Sequence, residues 1–481
     1  MGATSPNMEP ALNEREVTRF AIDSRDVQAG SLFFALSQPD YANNGFNGDF
    51  DDATKFVESA FQNGASAAVV RGNRFEEHRE ALEQFKDRIL KVDDVIAAFQ
   101  RLAHGVYLEW NKPVVAITGS AGKTTAKELT AHVLESSGRK VLRNIKNYNN
   151  GLGHPLTVLS LAADAAYDVA VLEMGMSTPM NEIARLCRIT PPDVAVELNV
   201  LPVHVEHLGS IENVALAKAE LVEGMKVGGT AVLNADDERV ATMRGLSKGE
   251  VLTYSIDGDA DITAREIRSE GFGKTLFVLT TPSGSSVVRF PLNGRHNISN
   301  ALSAAAVGHV FEMSADEIAS SLNTVSAPPQ RGEVIRFSEG FTVIDDSYNS
   351  NPAALISMVR TLVEGSGPDE RKVVVAGEML ELGSDETAIH RQVGRELATS
   401  GIDRLIGVRG LAREIVESAR SAGFENADFV EDSNAAGEML ADEIRKGDVV
   451  LIKGSRGVKT EIVLEKLRER FEQSDFSSTT A

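Results

Sequence analysis

The sequence predicts an α/β protein of three domains, with a phosphate-loop domain in the middle and a doubly wound, Rossmann-like domain at the carboxyl end. Three observations carry this prediction. Short β-branched runs alternate with helical patterns along most of the chain. One such run, Val114 to Thr118, opens directly into glycines and then a helix. Finally, Ser326-Ala327-Pro328-Pro329 interrupts the alternation, because paired prolines resist both helix and central strand. A chain of 481 residues also suits roughly three domains of about 100–200 residues. The expected boundaries are 1–111, 112–327 and 328–481.

The first unit carries apolar segments at Ser31 to Leu36 and Ala65 to Val70 between polar helical stretches, and ends near Trp110-Asn111-Lys112-Pro113. In the second, strands are expected at Val114 to Thr118, Asp168 to Leu172, Asp193 to Leu198 and Thr230 to Leu233, an alternation that implies a parallel sheet. Val251 to Pro291 alternates Thr, Phe and Val around Gly271, Gly273 and Gly284, which predicts antiparallel strands appended to that sheet as a structural addition. Asn300 to Glu312 reads as an alanine-rich helix. In the third unit the apolar runs Phe341 to Ile344, Lys372 to Ala376, Arg404 to Val408 and Asp448 to Ile452 alternate with helical patterns. Ligands of open α/β sheets bind beyond the carboxyl ends of the strands, where Asp345, Asp346, Glu378, Lys453 and Ser455 fall.

Composition narrows the function classes. Lys+Arg 49 against Asp+Glu 70 gives a net charge of −21, a field that repels nucleic acid and anionic lipid. Neither partner is expected. The single cysteine, Cys187, allows no internal disulfide and reads as a small buried apolar residue in a reducing compartment. No apolar run reaches the ~18 residues of a membrane span, and the first ten residues lack the basic start and apolar core of a leader. A cytoplasmic enzyme is expected.

Thr118-Gly119-Ser120-Ala121-Gly122-Lys123-Thr124-Thr125 is the most informative stretch. Glycines let backbone N–H groups converge on phosphate oxygens, the helix start adds positive potential, Lys123 reaches the β/γ-phosphates and Thr124 ligates Mg²⁺. Gly119 and Gly122 enclose two residues where the general pattern has four, so a shortened loop is implied. Ala126, Leu129, Val133 and Leu134 share a face of the helix that follows. Glu173 ends a strand and is a candidate Mg²⁺ ligand or a solvated boundary residue; His204 is a second candidate or an ordinary loop histidine.

These residues resemble the ATP-dependent Mur ligases of bacterial peptidoglycan synthesis, over nearly the whole chain. The TGSAGKTT stretch is similar to the family's phosphate loop, with Gly119, Ser120, Ala121, Gly122, Lys123, Thr124 and Thr125 as ATP contacts. Glu173 and His204 fall on its metal-ligand positions, and Lys218 falls on its carbamylated lysine. Gly294 to Asn300 is similar to the adenine-side motif, with Asn297 as a contact, while Arg331 and Asp346 correspond to ATP contacts from the third domain. On residues alone, Lys218 in the helical pattern Glu212 to Met225 reads instead as a solvated face.

Within the family, Asp345-Asp346-Ser347-Tyr348-Asn349-Ser350-Asn351-Pro352 and Asn147 to Gly151 are similar to the motifs of members that add D-alanyl-D-alanine, and the Asp-Asn-Pro-Arg motif of those adding the third residue is missing. The resemblance implies three-domain Mur ligase architecture, ATP and Mg²⁺, and catalytic roles for Lys123, His204 and Lys218. It implies UDP-N-acetylmuramoyl-tripeptide and D-Ala-D-Ala as small-molecule partners, and a monomer. Substrate contacts are expected from Ser24, Arg25, Asn149, Asn150, Tyr348, Asn349 and Asn351. Near residue 45 the family's Asp-Gly-His-x-Phe gives way to Asn43-Asn44-Gly45-Phe46-Asn47-Gly48-Asp49-Phe50. The alternatives are a Mur ligase adding a single amino acid, or a phosphate-loop kinase of a carboxylate. A nucleotide switch is disfavoured, because no Asn-Lys-x-Asp guanine motif is present.

Overall fold

The computed structural model describes residues 17–46, 51–145, 147–176, 181–202 and 208–474. Among them, no helix is long and apolar enough to cross a membrane. Strands β1 (Arg19–Ala21), β2 (Ser31–Phe34), β3 (Ala67–Arg71) and β4 (Ile89–Val92) form a parallel sheet in that order. Helix α1 (Val95–Trp110) starts where the Asp94 carboxylate accepts the Ala97 N–H, and ends at Asn111 in the left-handed conformation. It buries Ile96, Phe99, Ala103 and Tyr107, with the Phe99 ring 4.8 Å from that of Phe34. Cutting such a ring to alanine costs about 3–5 kcal/mol. The same apolar cluster runs on into Leu172, Met174 and Ile183, so the first sheet shares its core with the second; Cys187 is buried within it.

The second sheet has nine strands: β5 (Val114–Thr118), β6 (Val141–Arg143), β7 (Val169–Glu173), β8 (Val194–Glu197), β9 (Thr230–Asn234), β10 (Glu250–Ser255), β11 (Ile262–Ser269), β12 (Thr275–Thr281) and β13 (Gly284–Phe290). Their order is β13-β12-β11-β10-β9-β8-β5-β7-β6. The fully buried β5 lies between β7 and β8, all three parallel, so their carboxyl ends share one edge. The antiparallel addition expected over Val251 to Pro291 is corrected at its start. β10 pairs in parallel with β9, extending the main sheet, and only β11, β12 and β13 pair antiparallel with one another. Helix α2 (Lys123–Ser136) buries Ala126, Leu129, Val133 and Leu134 on the sheet, and α3 (Ile211–Glu223) packs on β8. The alanine-rich helix, α4 (Arg295–Val310), starts five residues before the expected Asn300, because Gly294 at φ +91° turns the chain there.

The third sheet is β14 (Glu333–Arg336), β15 (Thr342–Asp346), β16 (Arg371–Gly377), β17 (Arg404–Val408), β18 (Ala427–Val430) and β19 (Asp448–Lys453), in the order β14-β15-β19-β16-β17-β18. Five strands are parallel and the edge strand β14 is antiparallel, with apolar clusters on both faces. β14 and β18 are short edge strands whose sequences carry weak apolar runs. Helix α5 (Pro352–Gly365) is capped by Asn351, whose side-chain oxygen accepts the Ala354 N–H at 2.8 Å.

Candidate active site

The shortened phosphate loop is clamped from both sides. Ala121 donates its N–H to Asn199 Oδ1 at 2.9 Å, and Asn199 Nδ2 returns a bond to the Ala121 carbonyl at 3.1 Å. Ser120 Oγ accepts the Leu201 N–H at 2.9 Å. Gly122 has φ +83°, and a Cβ there would sit 2.6 Å from Asn300 Oδ1, so only glycine fits both the turn and the approach of α4. Lys123 folds back to donate to the carbonyls of Gly119 at 2.8 Å and Ser120 at 3.4 Å. Burial lowers its pKa, Glu173 and Glu197 oppose that shift, and Arg331 adds to it.

Two carboxylates stand at the ends of the strands on either side of β5. Glu173, last in β7, accepts from Thr124 Oγ1 at 2.8 Å on one oxygen and from Asn149 Nδ2 at 2.7 Å on the other. Glu197, last in β8, is fully buried, and neither carboxylate oxygen has a hydrogen-bond partner among the described residues. Burial holds its pKa well above the ordinary value against the pull of Lys218. Lys218 is only 1% exposed, which overturns its reading as a solvated helix face. α3 turns it inward over β8, and its ammonium donates to Thr118 Oγ1 at 3.3 Å. Burial, aided by Lys123 and opposed by Glu197 and Glu173, pulls the Lys218 pKa down to about 7. His204 lies outside the described residues. No group of three or more His, Cys, Asp or Glu side chains placed to hold a metal ion occurs among the described residues.

The third sheet supplies the opposite wall. Asp346 and Lys453 are register partners at the ends of β15 and β19. Lys453 Nζ donates to Asp346 Oδ2 at 2.5 Å and to the Asn349 carbonyl at 2.9 Å. The Arg331 guanidinium lies 4.0 Å over the Tyr348 ring, with Arg456 5.7 Å from it. These groups and the phosphate loop enclose a cavity of about 520 Å³, lined by Lys123, Thr124, Glu173, Asn297, Arg331 and Asp346 among others. A second cavity of about 830 Å³ reaches from Lys123 along Asn349 and Asn351 to Leu380, Glu381 and Arg456. Ser120, Lys123, Asn349, Ser350 and Asn351 line both.

The predicted site residues do not all converge. Gly119, although part of the loop, does not line the nucleotide-sized cavity, whereas Ser120 to Thr125, Asn149, Asn297, Arg331, Asp346, Tyr348, Asn349 and Asn351 do. Asn150 turns away, its side-chain oxygen accepting from the N–H groups of Leu152 and Gly153. Ser24 and Arg25 line neither cavity; Arg25 pairs with Asp23 on an exposed turn. Asn199, Glu197 and His296 went unselected as site residues, as did Lys453 as the partner of Asp346. Lys453 closes an apolar run, the one sequence signal that points to it, whereas Glu197 falls inside the expected strand Asp193 to Leu198. His296 is half-buried with Nδ1 3.3 Å from Ser357 Oγ on α5, and desolvation lowers its pKa.

The chain is similar to known proteins over most of its length. A model of the Mur ligase middle domain matches residues 117–308, and one of the Mur ligase glutamate ligase domain matches residues 330–456. The UDP-N-acetylmuramoyl-tripeptide--D-alanyl-D-alanine ligase of Escherichia coli (strain K12) is 34% identical, with 93% of each chain covered. The enzyme of the same name from Bacillus subtilis (strain 168) is 30% identical over 96% of this chain and 95% of its own. Among solved structures, MurF from Acinetobacter baumannii superposes with a TM-score of 0.81 at 27% identity, covering 95% of this chain and 94% of the other. The MurF ligase from Thermotoga maritima in complex with ADP gives a TM-score of 0.80 at 27% identity, covering 96% and 99%.

Proposed function

The chain belongs to the Mur ligase family, and from that premise we propose that it joins D-alanyl-D-alanine to UDP-N-acetylmuramoyl-tripeptide with hydrolysis of ATP to ADP and phosphate. The carrying observation is that the nucleotide-sized cavity and the larger chamber beside Leu380 and Arg456 meet at Lys123. A phosphoryl group made at the first is open to an amine held in the second. Residues 1–111 hold the nucleotide sugar, with Ser24 and Arg25 at its uridine end; 112–327 hold ATP; 328–481 close over ATP and bind the acceptor.

A carboxylate cannot expel oxide, so the tripeptide carboxylate first takes the γ-phosphoryl group, releasing ADP. The acceptor amine then adds to the acyl carbon, loses a proton, and phosphate leaves as the amide forms. Lys123 lies against both anions and lowers their repulsion. Arg331 and Asp346 complete the site from the third domain and exclude water from the acyl phosphate.

The donors suit Mg²⁺: the Thr124 hydroxyl faces the Glu173 carboxylate, and Glu197 carries two oxygens without hydrogen bonds among the described residues. Thr124 and Glu173 would hold one ion, and His204 with a carbamylated Lys218 a second; bound Mg²⁺ supplies charge neutralisation between phosphates and carboxylate. Burial favours the neutral Lys218 amine, the form that adds to CO₂, and the carbamate turns a donor-only cation into an oxygen ligand. Nucleotide substrates suit an enzyme of the cytoplasm, and we infer a monomer from the family resemblance.

Omission of components tests the reading. Phosphate should be released only when ATP, UDP-N-acetylmuramoyl-tripeptide and D-Ala-D-Ala are all present, and lysine or diaminopimelate should not replace the dipeptide. Release without an acceptor, with a stable phosphorylated acid, would favour a kinase instead. Restoration by a single amino acid would favour another Mur ligase.

A further inference from the structure

Residues 251–291 take no part in the reaction as derived so far. β11 and β12 belong to the central sheet, yet the turn between them leaves it. Phe272, at the tip, is buried in the apolar cluster of the third domain, with Ile344, Leu355, Val359 and Leu362. Its ring seats on Gly365 at the end of α5, where a Cβ would lie 2.7 Å from Phe272 Cε1. Arg336, on β14, donates to the Phe272 carbonyl at 2.9 Å.

The turn itself is held firmly. Gly271 and Gly273 have φ +107° and +75°. The Asn293 side chain grips both, donating to the Gly271 carbonyl at 3.0 Å and accepting the Gly273 N–H. The Asn293 carbonyl accepts in turn from Asn297 Nδ2 at 2.8 Å, and Asn297 lines the nucleotide-sized cavity. One turn therefore touches the start of α4 through Asn293 and the far end of α5 through Phe272. The near end of α5, at Pro352 and Ala353, lines the acceptor chamber. α4 and α5 also meet directly, through the His296–Ser357 bond at 3.3 Å and at Gly294, where a Cβ would lie 2.8 Å from Thr361 Oγ1.

We propose that Phe272 is a positioning residue: an aromatic plug carried by the central domain that seats α5 and holds the third domain in register over the phosphate loop. What that register serves rests on the ligase reading; the seat itself does not. The affinity of a ligand falls in proportion to the population of the competent arrangement. The test compares wild type, Phe272→Ala, Phe272→Leu, Gly365→Leu and the double variant Phe272→Ala/Gly365→Leu. Calorimetry reads ATP and nucleotide-sugar affinity, initial rates give KM and kcat, and thermal unfolding reports folding.

Phe272→Ala should weaken ATP binding and raise the KM for D-Ala-D-Ala roughly tenfold while changing nucleotide-sugar affinity less than about twofold. Phe272→Leu should restore most of the loss. Gly365→Leu, which fills the seat from the other side, should reproduce it, and the double variant should add little, as coupled sites do. Wild-type ATP affinity in either folded lesion, an equal loss of nucleotide-sugar affinity, or no rescue by leucine would overturn the proposal. If Phe272→Ala does not fold, Gly365→Leu against Phe272→Leu decides it. A wild type that binds ATP but forms no amide would sink the ligase reaction while leaving the affinity comparison intact.

Discussion

The two ends of the proposed substrate path are built differently. At the phosphate end, Lys123, Thr124 and Glu173 are fixed by a strand–loop–helix unit whose backbone is clamped by Asn199, within a wall of buried strand ends. At the nucleotide-sugar end, Ser24 and Arg25 sit on a short exposed turn, and the Arg25 side chain is 87% exposed with Asp23 as its partner. The phosphate end must present charges in fixed places and low dielectric while bonds change, so its geometry is set by the fold. The sugar end has only to hold a large anion, which exposed side chains do by moving onto it.

Substitutions at the two ends should therefore fail in different ways. Lys123→Ala should have the largest effect, a loss of turnover on the order of 10³-fold with an unchanged circular dichroism spectrum, since among the described residues the ammonium bonds only loop carbonyls. Full turnover would erase the contrast between the ends.

Lys218→Ala should be nearly inactive and partly rescued by short carboxylates, whereas Lys218→Arg should be inactive without rescue. Its titration gives a second readout in CO₂-free buffer. The folded-state pKa is depressed from 10.5 to about 7, so between those values the unfolded chain binds the extra proton. Stability should rise with pH across that window, by about 1.4 kcal/mol per pH unit at most, and Lys218→Met should lack this part of the slope in urea unfolding at pH 7 and 9. An identical slope in the two proteins would mean that the lysine is solvated.

Asp346→Asn should lower turnover roughly 10–100-fold but leave nucleotide-sugar affinity unchanged by calorimetry, because Asp346 ends a strand of the third sheet whereas Arg25 sits on the turn between β1 and β2. Asp346→Ala should also lower the unfolding temperature, since it strands the Lys453 ammonium, whose side chain is 4% exposed. The smallest effect belongs to Arg25→Ala: a rise of about 3–10-fold in the KM for the nucleotide sugar, with kcat unaltered. A drop in kcat there would place Arg25 in the reacting geometry after all.

The same contrast governs what could be read in the sequence. Val114 to Thr118 and the loop after it are local: a β-branched run, two glycines and a helix face announce both fold and chemistry, and β5 spans the expected residues. The carboxyl-end rule likewise placed Asp346 and Lys453 at the third sheet's edge, but not their pairing, because β15 and β19 are neighbours only in the folded order. Lys218 looked like a surface residue, since a helical pattern does not reveal which face a sheet covers. Glu197 was hidden for a related reason: an acid inside an expected strand reads as facing solvent until the strands on either side bury it. Phe272 carried no local signal at all, because its partner Gly365 is distant in sequence.

Oxygen transfer from substrate would show whether the tripeptide carboxylate is activated by phosphorylation beside Lys123. With ¹⁸O in the terminal carboxylate of UDP-N-acetylmuramoyl-tripeptide, ATP and D-Ala-D-Ala, mass spectrometry of the released phosphate should find one ¹⁸O atom per amide formed. Phosphate carrying no ¹⁸O while the amide accumulates would contradict the account.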